Sequence, residues 1–155
     1  MNDLYPESKA TKTWSYAGAR CTIVWHDRAC HYCGYVRFTR NPLFGGCYYN
    51  GFRAYVPVHG GLTYATKDTG GYVYGYDCGH AGDEANQKLT DIDWLTAHTE
   101  RLVLMIRVGR WFEPLYNLSG NNRWRAWLIE RYWQIVGRPD EFSFGININL
   151  LCGRL

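Results

Sequence analysis

Reactive side chains are concentrated between His59 and Asp83, in the sequence HGGLTYATKDTGGYVYGYDCGHAGD. The segment opens with a histidine and two glycines, and it closes with Asp77, Cys78, His80 and Asp83. Imidazole and carboxylate groups at such spacing can bind a divalent metal ion or transfer protons. Glycines let a ligand approach the backbone closely. The segment therefore predicts a binding or catalytic site.

A β-hairpin is expected to bring the two ends of this segment together. Residues 62–67 and 72–78 are rich in Thr, Tyr and Val, which favour strands, and the turn-forming sequence DTGG lies between them. With Thr69 and Gly70 as a two-residue loop, the first histidine of the segment lies opposite the last one. A loop centred one residue later moves each partner by two residues. In both registers the HGG and DCGHAGD sequences meet at the open end of the hairpin.

Side chains alternate between the two faces of a strand, so the second half of the hairpin presents two different surfaces. One face carries Tyr72, Tyr74, Tyr76 and Cys78, and the other carries Val73, Gly75 and Asp77. Asp77 and Cys78 therefore point in opposite directions unless a glycine introduces a bulge. This geometry disfavours a cysteine nucleophile that Asp77 helps to orient.

Length, charge and hydropathy limit the classes of function. At 155 residues the chain is expected to form a single α+β domain over residues 14–155, after a flexible N-terminal tail over residues 1–13. The net charge of +3 is compatible with an anionic ligand but does not require nucleic acid, and duplex nucleic acid is not the expected partner. The polar N-terminus lacks a signal peptide, and no apolar run is long enough to span a bilayer. We therefore expect no membrane association, and reduced cysteines in a cytoplasm.

The remaining elements follow from hydrophobic periodicity and from glycine and proline positions. Strands are predicted over 14–25, with a break near Gly18, and over 34–39, 52–58 and 142–151. A helix is predicted to begin at a capping box formed by Thr90 and Asp93 and to end at Gly109, before a loop over 110–122 and a second helix over 122–136. This order predicts an α+β fold, with a mostly antiparallel sheet and two amphipathic helices packed on one face.

Each predicted helix has an apolar stripe at helical spacing. The first stripe comprises Trp94, Leu95, His98, Leu102, Met105 and Ile106. The second comprises Trp124, Trp127, Leu128, Tyr132, Ile135 and Val136. We expect His98 to be a hydrogen-bonded core residue and not a ligand-binding group. Arginines on the second helix are expected to form a solvated face.

The spacing Cys30-x-x-Cys33 corresponds to half of a zinc knuckle. A second pair at matching spacing is not obvious, because Cys21 and His26 lie upstream and Cys47 lies downstream. Buried structural thiols are the favoured interpretation of this pair, and zinc binding is the alternative.

The motifs GYV at 34–36, PLFG at 42–45, VHGGLTY at 58–64 and GYDCGHAGD at 75–83 resemble a family of bacteriophage and prophage proteins with no assigned activity. The resemblance covers about residues 33–108, and the aromatic C-terminal part from about Arg110 departs from it. It implies a viral origin and the cytoplasm of an infected bacterial host. By association it also implies a counter-defence role.

Three functions remain open for the site. The first is sequestration of a nucleotide-derived ligand, in which turn amides bind phosphate and tyrosine rings stack on a base. Its expected ligand-binding residues are His59, Gly60, Gly61, Thr63, Tyr76, Asp77, Cys78, His80 and Asp83.

The second function is hydrolysis of such a ligand, by a phosphodiesterase-like reaction. The expected catalytic residues are His59, His80 and Asp77, and the expected ligands for Zn²⁺ or Mn²⁺ are His59, Asp77, His80 and Asp83. A variant of this reaction uses Cys78 as the nucleophile.

The third function is binding of a host protein through exposed aromatic side chains, and a homo-oligomer is compatible with the same surface. Under all three interpretations His59 and His80 are expected at strand ends, outside the core.

Overall fold

The computed structural model describes residues 10–43 and 50–138. Five antiparallel strands form one sheet in the order β1-β2-β3-β5-β4, and two helices follow them. The strands are β1 (Ala10–Tyr16), β2 (Ala19–His26), β3 (His31–Phe38), β4 (Tyr64–Asp68) and β5 (Gly71–Asp77). The helices are α1 (Ile92–Leu118) and α2 (Asn122–Val136), with short 3₁₀ segments at Gly51–Tyr55, Asp83–Ala85 and Gln87–Thr90. The predicted α+β class is confirmed.

The β4–β5 hairpin has the register predicted for a two-residue loop. Asp68 pairs with Gly71, so Thr69 and Gly70 form the loop. The Asp68 carboxylate accepts a hydrogen bond from the Gly70 backbone N–H at 2.8 Å and one from Arg37 Nη1 at 2.5 Å. The bond from Arg37 is the main reason why the pKa of the Asp68 carboxyl lies below its usual value. Turn geometry and one cross-strand contact thus fix the register of the hairpin.

Tyrosine rings lie over glycines where β3 and β5 pair at the centre of the sheet. Gly34 pairs with Tyr76, and Tyr35 pairs with Gly75. A Cβ atom on Gly34 would lie 2.3 Å from the Tyr76 ring, and one on Gly75 would lie 2.4 Å from the Tyr35 ring. The two glycines are therefore required by close packing, because any side chain would displace a ring.

The main hydrophobic core lies between one face of the sheet and α1. Burial follows strand alternation, so Val36 on β3 and Tyr74 on β5 contribute to this core, while Val73 belongs to a smaller cluster on the opposite face. From α1 the core receives Leu95, Leu102, Val103, Met105 and Ile106. Side-chain hydrogen bonds from β1 to α1 hold the edge strand against the helix.

The structure corrects the predicted bounds of the first helix. Asp91 is its N-cap, with a carboxylate that accepts from the backbone N–H groups of Asp93 and Trp94, so the predicted cap at Thr90 is wrong by one residue. The helix also continues through Gly109 and Pro114 to Leu118, and most of the predicted 110–122 loop is helical. Gly109 is buried within the helix beside Phe52, and a Cβ atom there would lie 3.3 Å from the Phe52 ring.

The second helix has the predicted bounds but a different buried face. Its buried residues are Leu128, Ile129, Tyr132 and Trp133, whereas Trp124, Trp127 and Ile135 are exposed. Tyr132 donates a hydrogen bond to the Met105 carbonyl of α1, and the Trp133 indole donates to the Tyr55 carbonyl. Because α2 packs on α1 and on the 3₁₀ segment, these two partners determine which face is buried.

The predicted strand over 52–58 is wrong, because Gly51–Tyr55 forms a 3₁₀ segment. Its side chains pack between the helices, with Phe52 stacked in parallel on Phe112 of α1. Residues 10–13, expected in the tail, begin strand β1. The predicted strand over 142–151 and the rest of the expected tail lie outside the described residues.

A buried ion pair joins the 3₁₀ segment to α1. Arg53 Nε donates to Glu113 Oε1 at 2.7 Å, and both side chains are almost completely buried. Removing one partner of such a pair leaves an uncompensated charge in the interior, which costs far more than the loss of a surface pair.

We expect Glu113→Gln to lower the free energy of unfolding by about 3 kcal/mol. Urea denaturation monitored by circular dichroism measures the change. Glu130→Gln is the control, because Glu130 pairs with Arg138 on the surface and its loss is expected to cost less than about 1 kcal/mol. Equal costs for the two variants would contradict the structural role of Arg53 and Glu113.

Candidate metal-binding site and adjoining cleft

A hydrogen bond from the core fixes the backbone at His59. The His59 backbone N–H donates to His98 Nε2 on α1 at 2.9 Å, and both residues are buried. His98 in turn stacks on Trp94, with ring centroids 4.5 Å apart, and receives the edge of Tyr76. The prediction that His98 is a hydrogen-bonded core residue is confirmed. The expectation that His59 lies outside the core is wrong, because its relative exposure is 3%.

One oxygen of Asp83 binds both halves of the predicted site. Asp83 Oδ2 lies 2.9 Å from His59 Nε2 and 3.3 Å from His80 Nδ1, and it accepts the His80 backbone N–H at 2.9 Å. Partial burial alone would raise the pKa of the Asp83 carboxyl. The hydrogen bonds from His59 and His80 outweigh burial and hold this pKa below its usual value. Asp83 is therefore a carboxylate at neutral pH.

His80 is the accessible member of the group. Its side chain is 36% exposed, and its ring centroid lies 5.5 Å from that of His59. Gly60 lies directly beneath the His80 ring, because a Cβ atom there would lie 1.9 Å from Cε1. Gly60 also has a φ of +66°, which favours glycine, so both conformation and space require this residue.

Three of the four predicted metal ligands converge. His59, His80 and Asp83 each offer a ligand atom, and these atoms lie within 4.8 Å of one another. Within residues 10–43 and 50–138, this is the one group of three or more His, Cys, Asp or Glu residues with that property. Two imidazoles and a carboxylate form a common donor set for Zn²⁺ and for related divalent ions.

Asp77, the fourth predicted ligand, does not join this group. Its Oδ1 accepts the Gly79 backbone N–H at 3.1 Å and lies 3.7 Å from His80 Nδ1. As predicted from strand alternation, Asp77 and Cys78 lie on opposite faces of the sheet. Asp77 is therefore a neighbour of His80 and not a member of the ligand set.

The other expected ligand-binding residues lie apart from the imidazoles. Tyr76 is buried, and its hydroxyl lies within hydrogen-bonding distance of Thr99 Oγ1 at 3.1 Å, so its ring has no free face for a base. Tyr74 is buried in the same core. Thr63 is exposed at the edge of the sheet, where its backbone N–H donates to the Gly75 carbonyl. Gly61 is buried and has a φ of +80°, so it turns the chain after His59.

The four cysteines that the structure describes are free thiols, and three of them are buried. Cys78 is buried, and burial raises the pKa of its thiol well above the usual value, which disfavours the thiolate that a nucleophile needs. Burial likewise raises the pKa of the Cys33 thiol to about 11. Cys30 is exposed on the turn before β3, and its thiol donates to the Asp27 carbonyl. In the described part of the chain, this pair belongs to no group of three candidate metal ligands.

A cleft of about 410 Å³ opens beside His80 and Asp83. Its lining consists of Trp25, Ala29, Cys30, His31, Cys78, Gly79, His80, Asp83, Glu84, Asn86, Gln87, Leu89 and Thr90. Two carboxylates and no lysine or arginine occur among these described lining residues, so the cleft itself does not attract phosphate. The centre thus has solvent access on the side of His80, while His59 is buried behind it.

Sequence reasoning missed His31, which lines this cleft. The β3–β5 register pairs Cys33 with Asp77, and this pairing places His31 beside Gly79. A Cβ atom on Gly79 would lie 2.4 Å from His31 Nδ1. The only available signal was the pairing of β3 with β5, which is a long-range contact that spacing along the chain does not show.

In the described part of the chain, neither helix combines the length and the apolar character needed to cross a bilayer. Comparisons of the chain with protein-family models, with curated proteins and with solved structures found no match. The function must therefore be argued from the site.

Gly60 and Gly61 provide a matched test of the site geometry. Both residues have positive φ, so an alanine at either position adds backbone strain of about 1 to 3 kcal/mol. Only Gly60→Ala also displaces the His80 ring, since Gly61 has open space where its Cβ would lie. We expect Gly60→Ala to unfold at a lower urea concentration than Gly61→Ala and to shift the His80 Hε1 resonance in NMR spectra. An unchanged His80 resonance in Gly60→Ala would contradict this contact.

Proposed function

We propose that the chain is a metal-dependent hydrolase, with a Zn²⁺ or Mn²⁺ centre formed by His59, His80 and Asp83. The observation that supports this proposal most directly is the convergence of two imidazoles and one carboxylate at the edge of a cleft. The proposed substrate class is a nucleotide-derived phosphodiester, as expected from the glycines and histidines of the HGGLTY and DCGHAGD sequences.

The three side chains have distinct roles in this proposal. The His59 backbone N–H donates a hydrogen bond to His98, and the His59 side chain would supply a buried nitrogen. His80 would supply a nitrogen beside the open cleft. Asp83 Oδ2 lies between the two rings, and a bound cation would replace the protons through which the rings contact it. A metal ion bound there would lower the pKa of a coordinated water and polarise a phosphoryl oxygen.

The carboxylate-rich lining of the cleft favours a metal-containing site over direct capture of phosphate. Asp83 and Glu84 would repel a bare phosphodiester, and no described lining residue carries a permanent positive charge. A divalent cation neutralises this repulsion and provides an attachment point for the substrate. Asp77 Oδ1 lies 3.7 Å from the same nitrogen, His80 Nδ1, so Asp77 would add a negative charge beside a bound cation without a hydrogen bond to the ring.

Sequestration of an intact nucleotide at the same centre is the second candidate, because a metal ion could bind phosphate without activating water. The counter-defence role and the host-protein partner stay predictions from the sequence. The homo-oligomer and the location in an infected bacterial cell also stay predictions.

Metal titration tests the proposed centre. We expect chelator-treated full-length protein to bind one Zn²⁺ or Mn²⁺ per chain in isothermal titration calorimetry. His80→Ala and Asp83→Asn should each lower the affinity by more than about 100-fold. This limit is set because residues outside the ligand shell typically change metal affinity by about 10- to 100-fold, and loss of a ligand costs more.

Asp77→Asn is the matched control, because Asp77 lies beside His80 but outside the group of three. It should lower metal affinity by less than about 100-fold, because Asp77 contributes a nearby negative charge and no ligand atom. Binding of neither ion, or an equal loss in Asp77→Asn and Asp83→Asn, would overturn the assignment of ligands.

Product analysis separates hydrolysis from capture. We expect metal-loaded protein to convert at least one member of a panel of cyclic nucleotides and ADP-ribose derivatives to a hydrolysed product, detected by chromatography after heat release. Asp83→Asn should remove this conversion. Recovery of an intact bound nucleotide would instead support sequestration.

A further inference from the structure

A second cleft of about 410 Å³ lies farther along α1, where this helix meets the β1–β2 turn and the end of β3. We propose that it binds a nucleotide, with arginines on the phosphate and an indole ring against the base. Its lining consists of Gly18, Phe38, Thr39, Arg40, Asn41, Pro42, Arg107, Arg110 and Trp111. The volume falls within the range of about 300 to 1,000 Å³ that is typical of small-molecule sites.

The charge of this cleft is opposite to that of the candidate metal site. Arg40, Arg107 and Arg110 converge on it, and its described lining contains no carboxylate. Guanidinium groups match the geometry of phosphate oxygens, with which they form paired hydrogen bonds. Three arginines in a described lining that has no carboxylate are therefore suited to an anionic ligand.

Trp111 provides the second feature of a nucleotide site. Its side chain follows Arg110 on α1 and is 74% exposed, although it lines the cleft. A large aromatic ring is costly to leave in water, and stacking on a nucleobase is worth about 1 to 3 kcal/mol. An exposed indole beside converging arginines can bind the two chemically different parts of one nucleotide.

The Arg107 side chain is exposed, and its guanidinium lies near two other residues of the lining, Phe38 and Gly18. Its guanidinium lies 6.0 Å from the centroid of the Phe38 ring. On the other side, a Cβ atom on Gly18 would lie 2.9 Å from Arg107 Nη2, and Gly18 has a φ of +75°. The β1–β2 turn therefore requires glycine and leaves room for this guanidinium.

An arginine cluster can also be an ordinary solvated face, and α2 provides such a face for comparison. Arg131 donates to Gln134 within its own helix and lies over the exposed ring of Trp127. Arg123 is exposed near the start of α2. Neither Arg123 nor Arg131 lines the cleft that contains Arg40, Arg107 and Arg110, so the two residues serve as controls for charge alone.

Calorimetric titration of the full-length protein with adenosine 5′-monophosphate, adenosine and inorganic phosphate tests the proposal. We expect one molecule of adenosine 5′-monophosphate to bind per chain, at least about tenfold more tightly than either fragment, because arginine contacts and stacking both contribute. Arg107→Glu and Arg110→Glu should each weaken this binding by about tenfold or more, as expected for loss of a hydrogen bond to a charged group.

Trp111→Ala should weaken binding of adenosine 5′-monophosphate by about fivefold or more while leaving the affinity for inorganic phosphate unchanged. Arg123→Glu and Trp127→Ala should leave both affinities within about twofold, because these residues lie outside the cleft. Circular dichroism spectra establish that each variant retains its fold. Arg110→Glu reverses a second charge in the cleft, at a residue other than Arg107, whose guanidinium lies over the Phe38 ring.

Asp83→Asn distinguishes the two sites, because it should leave binding of adenosine 5′-monophosphate unchanged in metal-free protein. Failure of the metal site would therefore not affect this result. Any of four results would overturn the proposal: no binding, equal weakening by Arg123→Glu, loss of binding in Asp83→Asn alone, or binding of single-stranded oligothymidylate without the mononucleotide.

Discussion

The close approach of β3 and β5 is the constraint on which the candidate site depends. Gly34 leaves room for the Tyr76 ring, which passes over β3 into the core and contacts both Thr99 and His98 on α1. His98 then accepts the backbone N–H of His59. The missing side chain at Gly34 is thus connected to the position of the buried His59 imidazole through the Tyr76 ring, the His98 ring and one hydrogen bond.

One part of the site is therefore positioned by core packing, and the other part is positioned by a loop. His59 belongs to the core, while His80 and Asp83 belong to the segment that leaves β5 and turns toward α1. Asp83 Oδ2 joins the two, because it contacts both rings and the His80 backbone. The group therefore has a buried member, His59, and a solvent-accessible member, His80.

Local chemistry explains which features were predictable. The hairpin register follows from a turn sequence, and the α2 bounds follow from Asn121 and Gly137 at its ends. Long-range contacts accompany the errors: a glycine such as Gly109 is typical of a helix end, but here it is buried within the helix beside Phe52. Likewise, the Trp124 and Trp127 rings stack on each other in solvent, since Tyr132 and Trp133 find hydrogen-bond partners in neighbouring segments.

Helix α1 is continuous over 27 residues and runs from the candidate metal site, where Trp94 lies beside His59, to the second cleft, which Trp111 lines. Trp94 and Trp111 are separated by 17 helical positions, a rise of about 26 Å at 1.5 Å per residue. At physiological salt the electrostatic potential of an exposed charge decays over about 8 Å, so a charge bound in one cleft exerts little force on the other. Any communication between them must therefore be mechanical, as a tilt or shift of the whole helix against the sheet.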